Sequence, residues 1–361
     1  MNWFIITSTQ CNLRCRYCMN EPHPDLPLRP AWDTQNLINF LSTDPSPTIC
    51  FYGGEPLLEM DIIIEIMDNI NATHYTLQTN GLLLNKLPTE YLTRFSTILV
   101  SIDGDKETTD INRGKGTFDR LLSNIKDIRS RGFNGDLIAR MAISETSDIF
   151  KDVTYLIETE ELSFNHVHWQ LDVQWDEGIE TRWEDFPDWM KSYNDGISEL
   201  IFYWLENLEK GEIKGLVPFL GIFRHIINDR STDLPCEAGL RSFAIRTDGE
   251  ITFCPLPPEY DLSIVGNIET NTANELENAI GVGKTCLECE VYDLCGGRCL
   301  FAEKTKLWGD SGFDLVCETV KHLIGKLQSI RETVEELIDK GILNRDDFEY
   351  PEYNNTTEII P

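Results

Sequence analysis

The chain has 361 residues, of which 61 are acidic and 31 are basic, so its formal net charge is −30. Such a surface repels phosphate backbones, which excludes nucleic acid as an expected partner and favours solubility or attraction of a basic peptide. No apolar stretch has the length of a membrane span, and the N-terminus lacks the pattern of an export signal. The sequence therefore predicts a cytoplasmic protein without a membrane or nucleic-acid partner, built from one large domain and a smaller one.

Apolar strands alternate with helical patterns from residue 1 to about 173. The predicted strands are 3–8, 48–52, 75–78, 98–102, 137–143 and 166–173, and the predicted helices are 33–42, 58–71, 89–95, 117–131 and 149–161. Continuously apolar strands in such an alternation are typical of a parallel sheet covered on both faces. In these sheets functional residues gather where the strands end, so we expect the site at that edge.

The remaining residues change in character twice. Residues 174–233 are acidic and helical, with helices predicted at 186–209 and 216–228 and with tryptophans 175, 183, 189 and 204, which we expect to pack between domains. Short strands, turns and cysteines follow, including a hairpin around Asp248-Gly249. The predicted organisation is a barrel over 1–175, a helical insert over 176–233, a cysteine-rich α+β domain over 234–320, a C-terminal helix over 321–344 (from a helical period at 317–341) and a polar, disordered tail over 345–361.

Eleven cysteines, an odd number without an export signal, indicate metal ligation and not disulfides. Cys11, Cys15 and Cys18 follow the first strand as CxxxCxxC, and three thiolates leave one iron of a four-iron cluster open. A zinc site completed by His23 is the alternative. Cys50 has no place in a ligand pattern and is predicted to be a small buried hydrophobe.

Polar motifs follow the next strands as well. Gly53-Gly54-Glu55-Pro56 follows strand two, where glycines permit close backbone approach to a ligand and a carboxylate can receive an ammonium group. Ser101 and Asp103 end strand four and can bind hydroxyl groups. Arg140 on strand five suits either a ligand carboxylate or a buried salt bridge.

The cysteine triplet and the GGEP motif together resemble the radical S-adenosylmethionine (SAM) superfamily. The resemblance implies a partial (β/α)6 TIM-like barrel in which the three cysteines hold a 4Fe–4S cluster and SAM chelates its fourth iron. Reduction then cleaves SAM to a 5′-deoxyadenosyl radical, which abstracts hydrogen from the substrate. By the same resemblance, SAM contacts are expected from Tyr17 (adenine), Gly53, Gly54 and Glu55 (methionine amine), Ser101 and Asp103 (ribose) and Arg140 (a carboxylate).

Seven further cysteines, some with zinc-like CxxC spacing, lie after residue 235. In order and spacing they resemble the SPASM domain, which follows radical SAM barrels in peptide- and protein-modifying enzymes. The resemblance implies two auxiliary 4Fe–4S clusters. One is expected on Cys286, Cys289, Cys295 and Cys317, and an inner one on Cys236, Cys254 and Cys299.

Two departures from the resemblance affect the expected chemistry. No cysteine lies between residues 50 and 236, so the inner cluster is expected to have an open iron or an oxygen ligand, for which the candidates are Asp229, Asp233 and Glu237. An open iron favours cross-linking through a substrate thiolate or amide. Sulfatase-maturing relatives carry an aspartate after the second SPASM cysteine, whereas here Pro255 follows, with Glu259 and Asp261 as distant substitutes; no general base is assigned.

The predicted function is radical SAM modification of a peptide or protein side chain, by cross-linking (thioether formation) or oxidation. The alternatives are sulfatase-maturase-like oxidation, maturation of a peptide-derived redox cofactor, and, outside enzymes, an iron–sulfur carrier or scaffold, which leaves GGEP, Ser101 and Asp103 without a purpose. Expected partners are the peptide or protein substrate and a reductase, flavodoxin or ferredoxin as electron donor. Because the chain begins at a strand, leader recognition is expected from a separate protein, residues 174–233 or the tail.

Overall fold

The computed structural model describes residues 1–18, 24–172, 185–256, 263–351, 353–354 and 361. Outside these ranges lie His23, Val173, Trp175, Trp183, Glu259 and Asp261, which were named above. The first six strands are β1 (Asn2–Ser8), β2 (Thr48–Gly53), β3 (His74–Thr79), β4 (Thr97–Ser101), β5 (Asp136–Ile143) and β6 (His166–Leu171). Between and beside them lie α1 (Thr34–Leu41), α2 (Met60–Asn69), α3 (Thr89–Leu92), α4 (Lys106–Arg113), α5 (Thr117–Ser130) and α6 (Ile149–Glu158).

The six strands form the predicted parallel sheet. Each pairs in parallel with its neighbour in sequence, and the complete order is β6-β5-β4-β3-β2-β1-β7-β8-β9. Since β6 and β9 end this order, the barrel is not closed, which confirms a partial barrel. Parallel pairing brings the carboxyl ends of β1 to β6 to one edge of the sheet.

Three short strands after residue 241 extend the same sheet. They are β7 (Ser242–Ile245), β8 (Glu250–Thr252) and β9 (Ile264–Asn267). β7 and β8 form the predicted antiparallel hairpin, with Gly249 at φ +91°. β7 also pairs in parallel with β1, from Asn2 opposite Ser242 to Ile5 opposite Ile245. The cysteine-rich region is therefore attached to the barrel through a shared sheet, which the sequence did not indicate.

Long helices pack behind this sheet. They are α7 (Phe186–Leu208), α8 (Val217–Asn228), α13 (Gly309–Ser329) and α14 (Arg331–Asp339), separated by the short α9 (Ala273–Leu276), α10 (Lys284–Leu287), α11 (Tyr292–Cys295) and α12 (Leu300–Thr305). The predicted helical stretch 317–341 is thus two helices that meet at Ile330. Trp204 is wholly buried, and Trp189 stacks on Phe186 and Tyr193 of its own helix, so both tryptophans take part in packing. None of the helices in the described ranges has the length and apolar character needed to cross a membrane.

The described part of the C-terminal tail is not disordered, which corrects the expectation for residues 345–351 and 353–354. A 3₁₀ turn over Arg345–Phe348 buries Phe348 completely. Tyr353 stacks on His74 at 3.8 Å between ring centroids, and Asn354 is 1% exposed. The tail is polar on average, but its aromatic residues bury enough apolar surface to hold it against the barrel.

Candidate active site

A cavity of about 310 Å³ lies at the carboxyl ends of the barrel strands. Its wall includes residues that follow or end β1, β2, β3, β4 and β5, so the parallel sheet assembles the site as expected. It also includes Pro255 and Leu256, which follow the second SPASM cysteine. Of the predicted site residues, the cavity is lined by Cys11, Cys15, Cys18, Tyr17, Gly53, Gly54, Ser101 and Arg140.

The three N-terminal thiols lie together on this wall. The Leu13 backbone amide and the Asn80 side-chain amide donate to Cys11 Sγ at 3.4 and 3.6 Å. Burial raises the pKa of the Cys15 thiol to about 11, with smaller contributions from the charges of Cys18 and Cys11. Amide donors around closely spaced thiols suit an iron–sulfur cluster, whose sulfur atoms accept such bonds.

The glycines of the GGEP motif hold the loop that leads into the cysteines. A Cβ atom on Gly53 would lie 2.2 Å from the Ser8 carbonyl oxygen, and one on Gly54 would lie 2.3 Å from that of Gln10. The Gly54 amide donates to the Ser8 carbonyl oxygen at 2.8 Å, and the Glu55 amide donates to that of Gln10 at 2.8 Å. Only glycine permits this approach, so the motif positions the cysteine loop as well as lining the cavity.

The Glu55 carboxylate, which was predicted to contact the methionine amine, is not among the groups that line the cavity. The side chain is fully buried and accepts bonds from the Leu57 amide (3.1 Å), the Thr79 hydroxyl (2.7 Å) and the Asn80 amide (2.7 Å). Burial raises its pKa to about 7, although these donors lower it. Glu55 therefore ties the turn after β2 to the turn after β3, and Asn80 in turn contacts Cys11.

Asp103, which was predicted to contact the ribose, is likewise absent from the cavity wall. Its carboxylate accepts two bonds from Arg113, at 2.9 and 2.8 Å, and one from the Tyr17 hydroxyl at 2.7 Å. The Ala142 amide adds a fourth at 3.1 Å. All four of these donors belong to the protein, and the Asp103 side chain is fully buried. The carboxylate therefore exposes no surface to a ligand. Ser101 remains on the cavity wall.

Arg113 lines the cavity but was not predicted as a site residue. It ends α4, a helix absent from the predicted set, whose N-cap Asp105 accepts from the Thr108 amide at 2.9 Å. The Asp-x-x-Thr pattern could have indicated this helix start, but nothing local indicates the partner of Arg113. Its guanidinium lies 5.4 Å from the Tyr17 ring centroid.

Arg140 has no acidic partner among the described residues. Its guanidinium contacts His168 and the Gln170 side-chain oxygen, and its Nε atom is buried without a hydrogen-bond partner. Burial lowers the pKa of Arg140 to about 10, and the nearby charge of Arg113 adds to this effect. Of the two predicted alternatives, a buried salt bridge is therefore not found within the described ranges, and the guanidinium lines the cavity.

Charge effects on thiol pKa values connect the seven C-terminal cysteines in two sets. In the outer group, the charges of Cys295, Cys317 and Cys289 all raise the pKa of Cys286, which shows that the four thiols are neighbours. The inner group comprises Cys236, Cys254 and Cys299, whose thiols influence one another in the same way. No three His, Cys, Asp or Glu side chains in the described ranges are placed to hold a single metal ion.

Tyr52 shows how close the two cysteine-bearing regions come to the same cavity. This residue lines the cavity, and burial raises its pKa to about 12. The charges of both Cys254, in the inner group, and Cys18, in the N-terminal loop, raise that pKa further, whereas Arg140 lowers it. The cavity is thus bordered by the N-terminal thiols on one side and by the inner group's loop on another. Cys50, beneath it, is 3% exposed and packs in the core as predicted.

The oxygen candidates for the inner group differ in their placement. Asp229 pairs with Arg331 at 2.8 Å, and Asp233 accepts from the Tyr292 hydroxyl at 2.5 Å. Glu237 directly follows the first cysteine of the group, and its charge raises the pKa of that thiol. Of the three, Glu237 is therefore the candidate whose charge affects the pKa of an inner-group thiol.

An unclosed parallel barrel with a cysteine triplet at its carboxyl edge is the architecture expected from the radical SAM resemblance. Residues 5–146 match the family model for the radical SAM superfamily. The match places a radical SAM domain over these residues, as expected, and supports SAM and a 4Fe–4S cluster as cofactors.

Similarity over about nine tenths of this chain extends to two enzymes. The chain is 23% identical to a cysteine-type anaerobic sulfatase-maturating enzyme of Clostridium novyi, over 91% of this chain and 96% of that protein. It is 23% identical to the radical SAM cyclopropyl synthase TigE of Paramaledivibacter caminithermalis, over 90% of this chain and 73% of that protein.

Two solved structures share the fold. Native anSMEcpe with bound AdoMet and Cp18Cys peptide superposes with a TM-score of 0.73 at 19% identity, covering 94% of this chain and 99% of that one. SuiB of Streptococcus suis bound to its precursor peptide SuiA superposes with a TM-score of 0.56 at 16% identity, covering 82% and 71%. The first similarity covers the cysteine-rich region as well as the barrel.

Proposed function

We propose that this protein uses SAM radical chemistry to modify a side chain of a peptide or protein substrate. The observation that carries the proposal is the shared cavity, in which the N-terminal thiols face residues that follow Cys254 of the inner group. A side chain inserted there lies within reach of both regions. The peptide-bound relatives support a substrate of this class.

The residues around the cavity suit SAM and one 4Fe–4S cluster. Cys11, Cys15 and Cys18 would hold three irons of the cluster. When bound, SAM and the cluster together supply a 5′-deoxyadenosyl radical that abstracts a substrate hydrogen. The backbone at Gly53 and Gly54 would receive the methionine amine, in place of the buried Glu55 carboxylate.

Three side chains would position the rest of SAM. Ser101 would bond a ribose hydroxyl, and Tyr17, held by Asp103, would lie beside the adenine. Arg140 would pair with the carboxylate, because a buried guanidinium without an acidic partner gains most from an anion.

The two C-terminal thiol groups would hold auxiliary 4Fe–4S clusters. Four thiols would supply a cysteine ligand to every iron of the outer cluster. The three inner thiols would leave one iron without a cysteine ligand, and Glu237 or the substrate would bind that iron. An electron donor of the flavodoxin or ferredoxin type, or a reductase, would serve this cytoplasmic system. Mössbauer spectra should change at an auxiliary iron when substrate binds, and unchanged spectra exclude a substrate-bound iron.

Two reaction types follow from the cavity. Cross-linking is favoured because Pro255, and no carboxylate, follows Cys254. Oxidation of a seryl or cysteinyl side chain is the second candidate, favoured by similarity to the sulfatase-maturating enzyme over nearly its whole length. Among the described lining residues the one carboxylate is Asp172, at the end of β6, which is our candidate for accepting the substrate proton in either reaction.

Anaerobic reconstitution with dithionite and SAM tests the proposal. The protein should release 5′-deoxyadenosine and bind about ten to twelve irons per chain. Cys15→Ala should abolish this release, whereas Cys50→Ala, which removes the cysteine outside all three groups, should retain it. A protein that binds iron but never cleaves SAM is a carrier and overturns the proposal.

A peptide substrate then separates the reactions. A cysteine-bearing peptide incubated with the enzyme should lose two hydrogens and yield a product inert to hydrazide if it is cross-linked. A hydrazide-reactive aldehyde instead establishes the oxidation.

A further inference from the structure

A groove on the outer wall of the barrel lies between α6 and α7. Its volume is about 430 Å³, and three aromatic side chains, one serine and two carboxylates line it. These residues are Phe150, Ser198, Glu199, Phe202, Tyr203 and Glu206. None of them lines the cavity of the candidate active site, so the groove is a separate surface.

Close packing of the two helices builds the aromatic part of the groove. A Cβ atom on Gly196 would lie 2.5 Å from Ile149 Cγ2, so α7 lies directly against the start of α6. The Phe150 and Tyr203 rings meet edge to face, with centroids 6.3 Å apart and planes at 86°. Beside them Phe202, at 63%, is the most exposed large hydrophobic side chain in the described ranges. An apolar surface shared by three rings is typical of a docking site, whereas a single exposed residue is not.

The rim of the groove is negatively charged. α7 contains four acidic residues and one basic residue, which are Asp188, Asp195, Glu199, Glu206 and Lys191. Glu199 and Glu206, here called the rim carboxylates, are exposed on either side of Phe202 and form no ion pair within the described part of the chain. A chain of net charge −30 supplies no excess of cations to neutralise them.

The lysines next to the groove are already paired with other carboxylates. Lys151, at the start of α6, forms an ion pair with Asp105 at 2.8 Å. Lys214 pairs with Glu158 at 2.9 Å, and the same carboxylate accepts from the Tyr203 hydroxyl. Neither lysine is therefore free to neutralise the rim carboxylates, and the groove offers its negative charge to a ligand.

The combination of apolar walls and an anionic rim selects the occupant. A segment that carries an apolar side chain between positive charges is complementary to both features. A second copy of the chain in a two-fold dimer would bring the rim carboxylates against the same carboxylates of its partner, at an electrostatic cost. An acidic partner protein meets the same repulsion.

The groove begins at the edge of the barrel that carries the cavity. Near its end, β5 places Met141 and Ala142 on the cavity wall, and α6 starts at Ile149, soon after that strand. A helix that follows a parallel strand starts at the carboxyl edge of the sheet, so Phe150 lies at the cavity end of the groove. A peptide that leaves the cavity over this edge therefore reaches the groove next.

We propose that this groove binds a basic segment of the peptide substrate, outside the side chain that reacts. The inference rests on the proposed function, which assigns a peptide or protein substrate to the cavity. An apolar side chain of the segment packs beside Phe202, and lysine or arginine side chains pair with the rim carboxylates. Seven residues separate Glu199 from Glu206, about 10.5 Å along the helix, so the cations flank the apolar side chain.

Fluorescence anisotropy with the anaerobically reconstituted full chain tests the groove without turnover. The probe is a fluorescein-labelled peptide with two leucines between pairs of lysines, and its counterpart has glutamates in place of the lysines. The lysine peptide should bind, with an affinity that falls as salt is added, because exposed charges are screened. The glutamate peptide should bind roughly tenfold more weakly or worse. Equal binding of the two peptides would exclude a basic occupant and overturn the inference.

Substitutions on α7 show whether the lysine peptide occupies the groove. Phe202→Ala should weaken its binding roughly tenfold, because apolar contact is lost. Glu199→Gln/Glu206→Gln should weaken it by a similar factor at low salt and flatten its salt dependence. Glu332→Gln/Asp339→Asn is the matched control, since it removes two exposed carboxylates at the same spacing on α14, and it should bind like the parent. All these residues are exposed, so each variant should keep the thermal unfolding of the parent.

Two results with these variants overturn the inference. Unchanged binding in Phe202→Ala shows that the peptide lies elsewhere. Equal weakening by the α7 pair and the α14 pair shows that net charge alone attracts the peptide. Sedimentation velocity adds a third, because a parent dimer that becomes a monomer in Phe202→Ala assigns the groove to a second copy of the chain.

A longer peptide connects the groove to the substrate. The cysteine-bearing peptide that separates the two reactions would be extended by the lysine and leucine segment. The extended peptide should have the lower KM, and Phe202→Ala should raise that KM roughly tenfold with kcat unchanged, since the groove does not contact the reacting atoms. Equal KM values for the two peptides overturn the inference. Failure of the proposed function gives a different result, because neither peptide is then modified while the anisotropy differences between the variants remain measurable.

Discussion

Arg113 and Asp103 form a two-point ion pair directly behind the cysteine loop. The Nε–Oδ2 and Nη2–Oδ1 distances are 2.9 and 2.8 Å, and the side chains are 7% and 0% exposed. The same carboxylate accepts the Tyr17 hydroxyl, and the Arg16 amide donates to the Asn112 carbonyl oxygen at 2.9 Å. The end of α4 therefore holds the loop that carries the three thiols.

Breaking this pair should destabilise the protein strongly. Asp103→Asn leaves the buried Arg113 guanidinium without its anion, which costs about 3–5 kcal/mol in the free energy of unfolding. Chemical denaturation of the anaerobic protein measures the change. The control is Lys106→Gln, at the start of α4, which removes an exposed ion pair with Asp119 of α5 and should change stability little. Equal effects of the two substitutions would contradict a structural role for the buried pair.

Replacing Arg140 should weaken SAM binding without unfolding the barrel. Arg140→Gln removes a charged hydrogen bond of about 1.5–3 kcal/mol, so affinity should fall roughly 10- to 150-fold. Equilibrium dialysis with labelled SAM measures this without turnover. Arg120→Gln, on the exposed face of α5, should bind SAM like the parent. Unchanged affinity in Arg140→Gln would assign the arginine to packing.

The stability of the protein should depend on Asp152 in acid solution. Burial raises the pKa of this carboxyl from its usual value near 3.8 to about 7, so between these pH values the folded state holds a proton that the unfolded state has lost. Stability from this group is therefore fully present below pH 3.8 and is lost as the pH rises to about 7. The slope is about 1.4 kcal/mol per pH unit for one proton.

Asp152→Asn isolates that contribution. The amide keeps the bonds to the Thr108 hydroxyl and the Asp148 amide available but cannot ionise. Free energies of unfolding measured from pH 4 to 7 should fall less steeply in the variant. The slopes should differ by the contribution of one proton, about 1.4 kcal/mol per pH unit. Glu55, whose pKa is also raised to about 7, preserves a falling slope in both proteins. Identical slopes would show that Asp152 is ionised throughout.

The C-terminal tail should contribute to stability despite its polar composition. Phe348 is fully buried, with its ring centroid 6.0 Å from that of Trp204 and 5.3 Å from that of Phe223. Phe348→Ala should lower the unfolding free energy by about 3–5 kcal/mol. Phe202→Ala, at a 63% exposed site on α7, is the matched control and should stay within about 0.5 kcal/mol. A small effect at Phe348 would mean that the tail docks only loosely.

The sequence by itself determined the features that local spacing encodes. The strand and helix alternation and the Asp248-Gly249 hairpin follow from short-range patterns, and the structure shows both of them. Helix α4 was missed because its core-facing side is mostly polar, with Thr108, Thr109 and Asn112 buried where apolar residues would signal a helix.

Only the tertiary structure decided what the polar side chains of the site contact. Asp103 and Glu55 stand where a ligand was expected, yet both are turned inward to satisfy donors from segments distant in sequence. The attachment of β7 to β1, 240 residues apart, is decided in the same way. A carboxylate is stabilised by whichever donors surround it in the fold, and those donors are set by long-range packing that local sequence patterns do not record.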